Sequence, residues 1–313
     1  MRIPKIERRA MLISFVTGLT LLALKFSAYS FTGSPAIFAD AVESIVNVMA
    51  SVVAIWALAL AHTPPDESHP YGHGKVEFMS AGLEGGMIAL ASLFILIRTI
   101  DQLLFYSPST EPLDIGLLLL GVATIVNGVV GYGLIRTGKA QHSLTLEADG
   151  HHLLSDAITS VAVVAGLILV VLTGWTWLDP LMAVGVAIYI AYAGSRLLRQ
   201  AAGGLMDRQD IDDEKALVAI LNAHMQPDAD PKICSYHKLR HRHSGRYHWV
   251  DFHLVIPAHL SIADGHHIAS VIEKKMELTL GQGNATAHVE PCLRGKCAVC
   301  EVLRSSAFTD GGR

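Results

Sequence analysis

Glu43-Ser-Ile-Val-Asn47 and His152-Leu-Leu-Ser-Asp156 each set two metal-ligand-type side chains four residues apart, inside segments apolar enough to span a bilayer. The i, i+4 spacing puts both members of a pair on one helix face, so two helices meeting there offer one four-ligand cage. A charge at the bilayer centre costs roughly 2.5 to 3.5 kcal/mol even on lenient insertion scales. The plain alternative, helix-packing groups that hydrogen-bond one another, accounts for one such residue as well as a metal does. It accounts poorly for two spaced pairs. The pattern points to a cation site within a membrane, and two or three oxygens with one imidazole suit zinc or ferrous iron better than magnesium or calcium.

Working outward, 51% of the 313 residues are hydrophobic and 17% charged, with the apolar residues in long runs. About 20 helical residues cross a hydrocarbon core about 30 Å thick. Six segments qualify: Met11 to Phe31, Ser34 to His62, Val76 to Phe105, Pro112 to Arg136, Leu144 to Thr173 and Pro180 to Arg199. Several exceed the minimum, which implies tilt or projection into water. No small-residue cleavage site follows the first run, so it reads as a retained helix. Arg2, Lys5, Arg8, Arg9, Lys75, Arg136, Lys139, Arg196, Arg199 and Arg208 fall on one side of these segments; Asp101, Glu111, Asp114 and Asp179 fall on the other, with Arg98 the basic exception. The expectation is a multi-pass protein of the plasma (inner) membrane with both termini cytoplasmic. A net charge of -4 indicates no nucleic-acid partner.

From Asp207 the composition changes, giving an expected division into 1–206, 207–291 and a tail, 292–313. Asp212 to Met225 and Ser261 to Leu280 read as helices. Ile233 to Arg242, Tyr247 to Ile256 and Ala285 to Val289 read as strands, the first two joined at Ser244-Gly245. This α-β-β-α-β unit supports one small core and is better served by oligomerisation. The polar, Gly-rich tail is expected to be flexible. Cys234, Cys292, Cys297 and Cys300 fall on the cytoplasmic side, where disulfides do not persist. Cys292, Cys297 and Cys300 have the spacing of a structural zinc site, against incidental thiols in a tail.

Two further clusters carry metal chemistry. Asp66-x-x-His69-Pro-Tyr-Gly-His73-Gly-Lys75 offers one carboxylate and two imidazoles in a loop that glycines let fold tightly. The chain holds 16 histidines, crowded between His224 and His288. Of these, His237, His253, His266 and His288, with Glu290, lie on different predicted elements and converge only through folding. Asp40 and Asp149, one turn from Glu43 and His152, are candidates to support the intramembrane ligands or to serve as helix-end groups. Glu84 and Lys25 are further intramembrane charges expected to pair, Glu84 being alternatively a proton relay.

The order of helices and domain, Ser34-x-x-Ile37-x-Ala39-Asp40-x-x-Glu43-Ser44, the His69-to-Lys75 loop and Ala148-Asp149-x-x-His152-x-x-Ser155-Asp156 together resemble the cation diffusion facilitator family. The match runs from about Arg8 to Pro291 and is nearest the bacterial zinc and ferrous-iron efflux branch. The resemblance implies six transmembrane helices, a cytoplasmic α+β domain of metallochaperone or ferredoxin-like type, and a homodimeric antiporter exchanging cytoplasmic Zn2+ or Fe2+ for protons. Glu43, Asn47, His152 and Asp156 would form the transport site, and Asp66, His69 and His73 a loop site. His237, His253, His266, His288 and Glu290 would form a binuclear site at the dimer interface, and Lys75 and Asp207 a charge interlock. That branch has aspartate at both second-helix positions; here they are Glu43 and neutral Asn47, which lowers the negative charge facing the metal. His152 binds metal when neutral and is displaced by a proton, while rocking of the bundle switches access.

Two rivals use the same ligands. An intramembrane metalloenzyme needs a base and an open coordination position, yet the chain has no His-Glu-x-x-His helix or nucleophile elbow. A membrane-bound metal sensor would move no metal. The sequence therefore favours a transporter over an enzyme.

Overall fold

The computed structural model describes residues 4–32, 35–104, 114–175, 178–226 and 228–292. They fall into two compact units, Met1–Leu205 and Met206–Arg313. The first consists of α1 (Lys5–Thr32), α2 (Pro35–Ala61), α3 (Val76–Leu104), α4 (Asp114–Gln141), α5 (Leu144–Thr173) and α6 (Leu178–Leu205). Among the described residues, Lys5–Ser27 and Val76–Ile97 are long and apolar enough to cross a membrane, and Asn47–Ala61 is a shorter apolar piece. Three helices outrun the apolar segments read from sequence: α1 starts at Lys5, α4 continues to Gln141 and α6 to Leu205. Charged ends do not stop a helix when no breaker intervenes, because each added residue closes another backbone hydrogen bond.

In this unit α3 packs on α6, α4 on α5, and α1 on α2 and α4, while α5 also touches α2, α3 and α6. Glycines set the closest approaches. A Cβ on Gly131 would lie 2.9 Å from the Gly150 carbonyl oxygen, and one on Gly150 would lie 2.8 Å from that of Gly131. Gly85 and Gly194 do the same between α3 and α6. Small residues let backbones meet where lipid removes the hydrophobic drive between helices. Facing outward, Leu90, Phe94, Ile125, Val129 and Tyr192 are each more than 60% exposed, an apolar coat that suits lipid better than water.

The second unit comprises α7 (Ile211–Ala223), β1 (Ser235–Ser244), β2 (Tyr247–Pro257), α8 (Ile262–Leu280) and β3 (Gly283–Cys292). Asp210 caps α7 by accepting from the backbone N–H groups of Asp212 and Asp213, and Ser261 with Asp264 forms a capping box at α8. β2 is central, antiparallel to β1 and parallel to β3. The parallel pair needs a crossover, which α8 supplies. Alternation along β2 turns Val250, Phe252, Leu254 and Ile256 inward against Leu217, Leu221, Ile272 and Met276. β3 extends beyond the expected Ala285 to Val289 because β2 offers pairing partners from His248 through Pro257. The β1–β2 register slips between His237 and Arg240, a bulge.

Gly150→Ala should destabilise the α4–α5 contact by about 1–3 kcal/mol, since the new methyl meets backbone. Gly133→Ala, with nothing within 4 Å of its added Cβ, should be neutral or slightly stabilising. Thermal unfolding of the two purified variants in detergent checks the contrast.

Candidate metal centres

In the helical unit α5 presents His152 and Asp156 one turn apart, and α2 brings Asn47 to both. Asn47 Nδ2 donates to Asp156 Oδ2 at 2.7 Å. His152 Nε2 lies 2.8 Å from Asn47 Oδ1. Because an amide oxygen only accepts, Nε2 carries the proton here. His152 Nε2 and Asp156 Oδ2 are 3.9 Å apart, and the buried His152 Nδ1 has no hydrogen-bond partner. The side chains of Glu43 and Asp40 lie outside the described residues; helical spacing places Glu43 one turn from Asn47 along α2.

Asp149 lies one turn before His152 on α5. It is buried and accepts from Ser14 Oγ of α1 at 2.6 Å, so it ties α5 to α1. Ser14 carried no signal in the sequence, since a lone serine on an apolar helix is ordinary. Glu84 is buried on α3 and its carboxylate oxygens have no hydrogen-bond partner. Among the described residues the expected pairing of Glu84 with Lys25 is not found: the Glu84 oxygens are unpartnered, and α1 packs chiefly on α2 and α4.

The loop cluster is built by local hydrogen bonds. Asp66 Oδ1 accepts from the backbone N–H of Ser68 at 3.0 Å and of His69 at 2.6 Å, and from Ser68 Oγ at 2.8 Å. Gly72, at φ 79°, makes the turn that brings His73 back. The His69 and His73 rings are 4.4 Å apart, and His73 Nε2 is 3.4 Å from Asp66 Oδ2. Ligand atoms of Asp66, His69 and His73 lie within 4.8 Å of one another. The buried Nδ1 of His73 has no hydrogen-bond partner. The Ser68 hydroxyl, then the His69 backbone, hold the Asp66 carboxyl down to about 2.

In the second unit the register lines up His237, His253 and His288 across β1, β2 and β3. His253 Nδ1 is 2.7 Å from Glu290 Oε1, and His237 Nε2 is 3.4 Å from Glu290 Oε2. Ligand atoms of His237, His253 and Glu290 lie within 4.8 Å of one another. His288 flanks them, its ring 4.7 Å from that of His253. The hydrogen bond from His253, with the nearby imidazoles, holds the Glu290 carboxyl below its ordinary range. His266 is exposed on α8 and does not enter this cluster. Lys75 donates to the Leu205 carbonyl at 3.3 Å, and Asp207 accepts from Arg242 at 3.0 Å. Among the described residues Cys234 and Cys292 form no disulfide; Cys297 and Cys300 lie outside the described residues.

The model of the cation efflux transmembrane domain matches residues 11–206. The chain belongs to the cation diffusion facilitator family. The cytoplasmic domain of cation efflux proteins matches residues 220–292, so this is a cation efflux transporter built from a transmembrane domain and a cytoplasmic dimerisation domain. An uncharacterized transporter of Synechocystis sp. is 38% identical over 290 residues, covering 92% of this chain and 91% of that one. The cation-efflux pump FieF of Shewanella oneidensis is 28% identical over 278 residues, covering 89% and 92%. FieF of Citrobacter koseri is 28% identical over 292 residues, covering 92% and 94%.

Since the Asp66 carboxyl is held at about 2, below its ordinary 3.8, its ionisation stabilises the loop above about pH 3.8, and this is lost as pH falls through about 2. The carboxylate is therefore ionised throughout the range in which imidazoles titrate. Asp66→Asn should weaken zinc binding at the loop roughly tenfold or more by the same factor from pH 5 to 8. Chelator competition, on protein with Asp156 and His253 replaced by alanine, measures it.

Proposed function

We propose that this transporter exports Zn2+ or Fe2+ from the cytoplasm in exchange for protons, as a homodimer in the inner (plasma) membrane. Six spans with both termini cytoplasmic are part of the reading, supported by the basic residues gathered at one set of helix ends. The transport site is Glu43, Asn47, His152 and Asp156. The observation that carries it is the contact of His152 Nε2 with Asn47 Oδ1 at 2.8 Å. The nitrogen that faces Asn47 and Asp156 holds a proton in this arrangement, so metal entry at that atom requires the proton to move to Nδ1 or to leave.

Asp156 supplies full negative charge and Asn47 supplies a neutral oxygen once its amide lets go of His152. Rocking of the helices around this fixed point would alternate access. The loop cluster and the cluster at Glu290 are proposed as resident zinc-class sites whose donors fit: one carboxylate and two imidazoles each. A second protomer is proposed to bring His266 into the latter. The names of the curated pumps and the matched cytoplasmic domain support cation export and dimerisation. A sensor or metalloenzyme built on the same ligands would carry no flux.

The test is metal uptake into proteoliposomes under an imposed pH gradient, across zinc, iron, manganese, cobalt and cadmium. Asp156→Ala should abolish flux while leaving the dimer folded; wild-type flux in that variant would overturn the site. Asn47→Asp should tighten metal binding roughly tenfold or more and alter selectivity or proton coupling, because added charge acts strongly in a water-poor site. Isothermal titration together with the same flux assay reads both.

A further inference from the structure

The face of the sheet opposite His253 carries a second group of imidazoles. His241 pairs in register with Val250, and His243 with His248. Val250 belongs to the core, so the three histidines share its side of the sheet at the hairpin end. The first turn of α7 sets Asp213 beside them, with Asp213 Oδ2 3.1 Å from His248 Nδ1. The two atoms are close but lack the alignment of a hydrogen bond. His73 and Asp66 stand at a similar ion-pair distance in the loop, 3.4 Å.

A second observation is independent of the first. His241 is only 5% exposed, and its Nε2 has no hydrogen-bond partner. A buried donor or acceptor left without a partner is costly and calls for an explanation. Burial holds the His241 imidazole below its ordinary range, which leaves it neutral and able to ligate. Contact with His248 holds the Asp213 carboxyl below its range, which keeps it ionised. Asp210, Asp212 and Glu214 crowd the same helix start and make the neighbourhood attractive to a cation.

We propose that Asp213, His241 and His248 form a further site for a zinc-class divalent cation, one that fastens the first turn of α7 to the β1–β2 hairpin. One carboxylate and two imidazoles are the donors that zinc or ferrous iron takes. The donors are spread more widely than the 4.8 Å that encloses each compact cluster. Binding therefore draws His241 and the α7 turn together. His243 Nδ1 donates to the Gly245 carbonyl at 3.0 Å, which steadies the hairpin turn next to the site. The site goes beyond the transport reading and does not depend on it.

The experiment uses the full chain in detergent, with Asp66→Ala, Asp156→Ala and His253→Ala removing one ligand from each other centre. Zinc alone is titrated by equilibrium dialysis with elemental analysis, and cobalt is titrated by its visible absorption. The background protein should still bind zinc. Adding Asp213→Asn, His241→Asn or His248→Asn should weaken that binding at least tenfold and remove the cobalt absorption. Asp213 is a partly exposed helix residue, so Asp213→Asn decides the matter if either histidine variant fails to fold, as judged by circular dichroism and gel filtration. A background protein that binds no zinc, or an Asp213→Asn protein with unchanged affinity, overturns the site.

Discussion

The amide of Asn47, donating to Asp156 and accepting from His152, is the constraint around which the transmembrane domain is arranged. Polar groups on apolar helices have few partners but one another. α2 and α5 must therefore meet at this level, and the remaining helices pack where that leaves room. Ser14 and Asp149 obey the same demand between α1 and α5. The glycines at Gly131 and Gly150 let α4 press close to α5, so the helix that bears His152 and Asp156 is held from several sides.

The three centres draw on different orders of structure. The intramembrane group needs two helices far apart in sequence. The Asp66 loop needs only a turn, since its ligands lie within eight residues and its hydrogen bonds are local. The Glu290 cluster needs three strands in register. A turn forms before long-range pairing does, so the loop centre depends least on the completed fold. Exposure follows the same order: Asp66 and His69 are open to water, while His152 is buried.

Much of this was legible in the sequence because periodicity and local spacing are one-dimensional signals. The i, i+4 pairs, the tight loop and the α-β-β-α-β order all lie within short windows. What escaped was set by pairing partners. Ser14 became meaningful only when α1 met α5 at Asp149. Asp213 and His248 came together only through the tertiary fold, and no spacing rule connects them. Lys25 and Glu84 looked like natural partners by charge, yet helix adjacency separated them. The helices run on past the apolar segments for a related reason: hydropathy reports where a chain is apolar, whereas hydrogen bonding decides where a helix stops.

The bulge between His237 and Arg240 in β1 lets one strand present imidazoles to both faces of the sheet. Along an unbroken strand, residues of equal parity share a face, so His237, His241 and His243 would all lie on one side. The single extra residue reverses the alternation partway along. His237 stays with His253, and His241 and His243 pass to the face of the core. One insertion thus keeps two imidazole groups electrically and sterically apart on a strand ten residues long. Straightening the strand with every residue kept would fuse them on a single surface and leave the other bare.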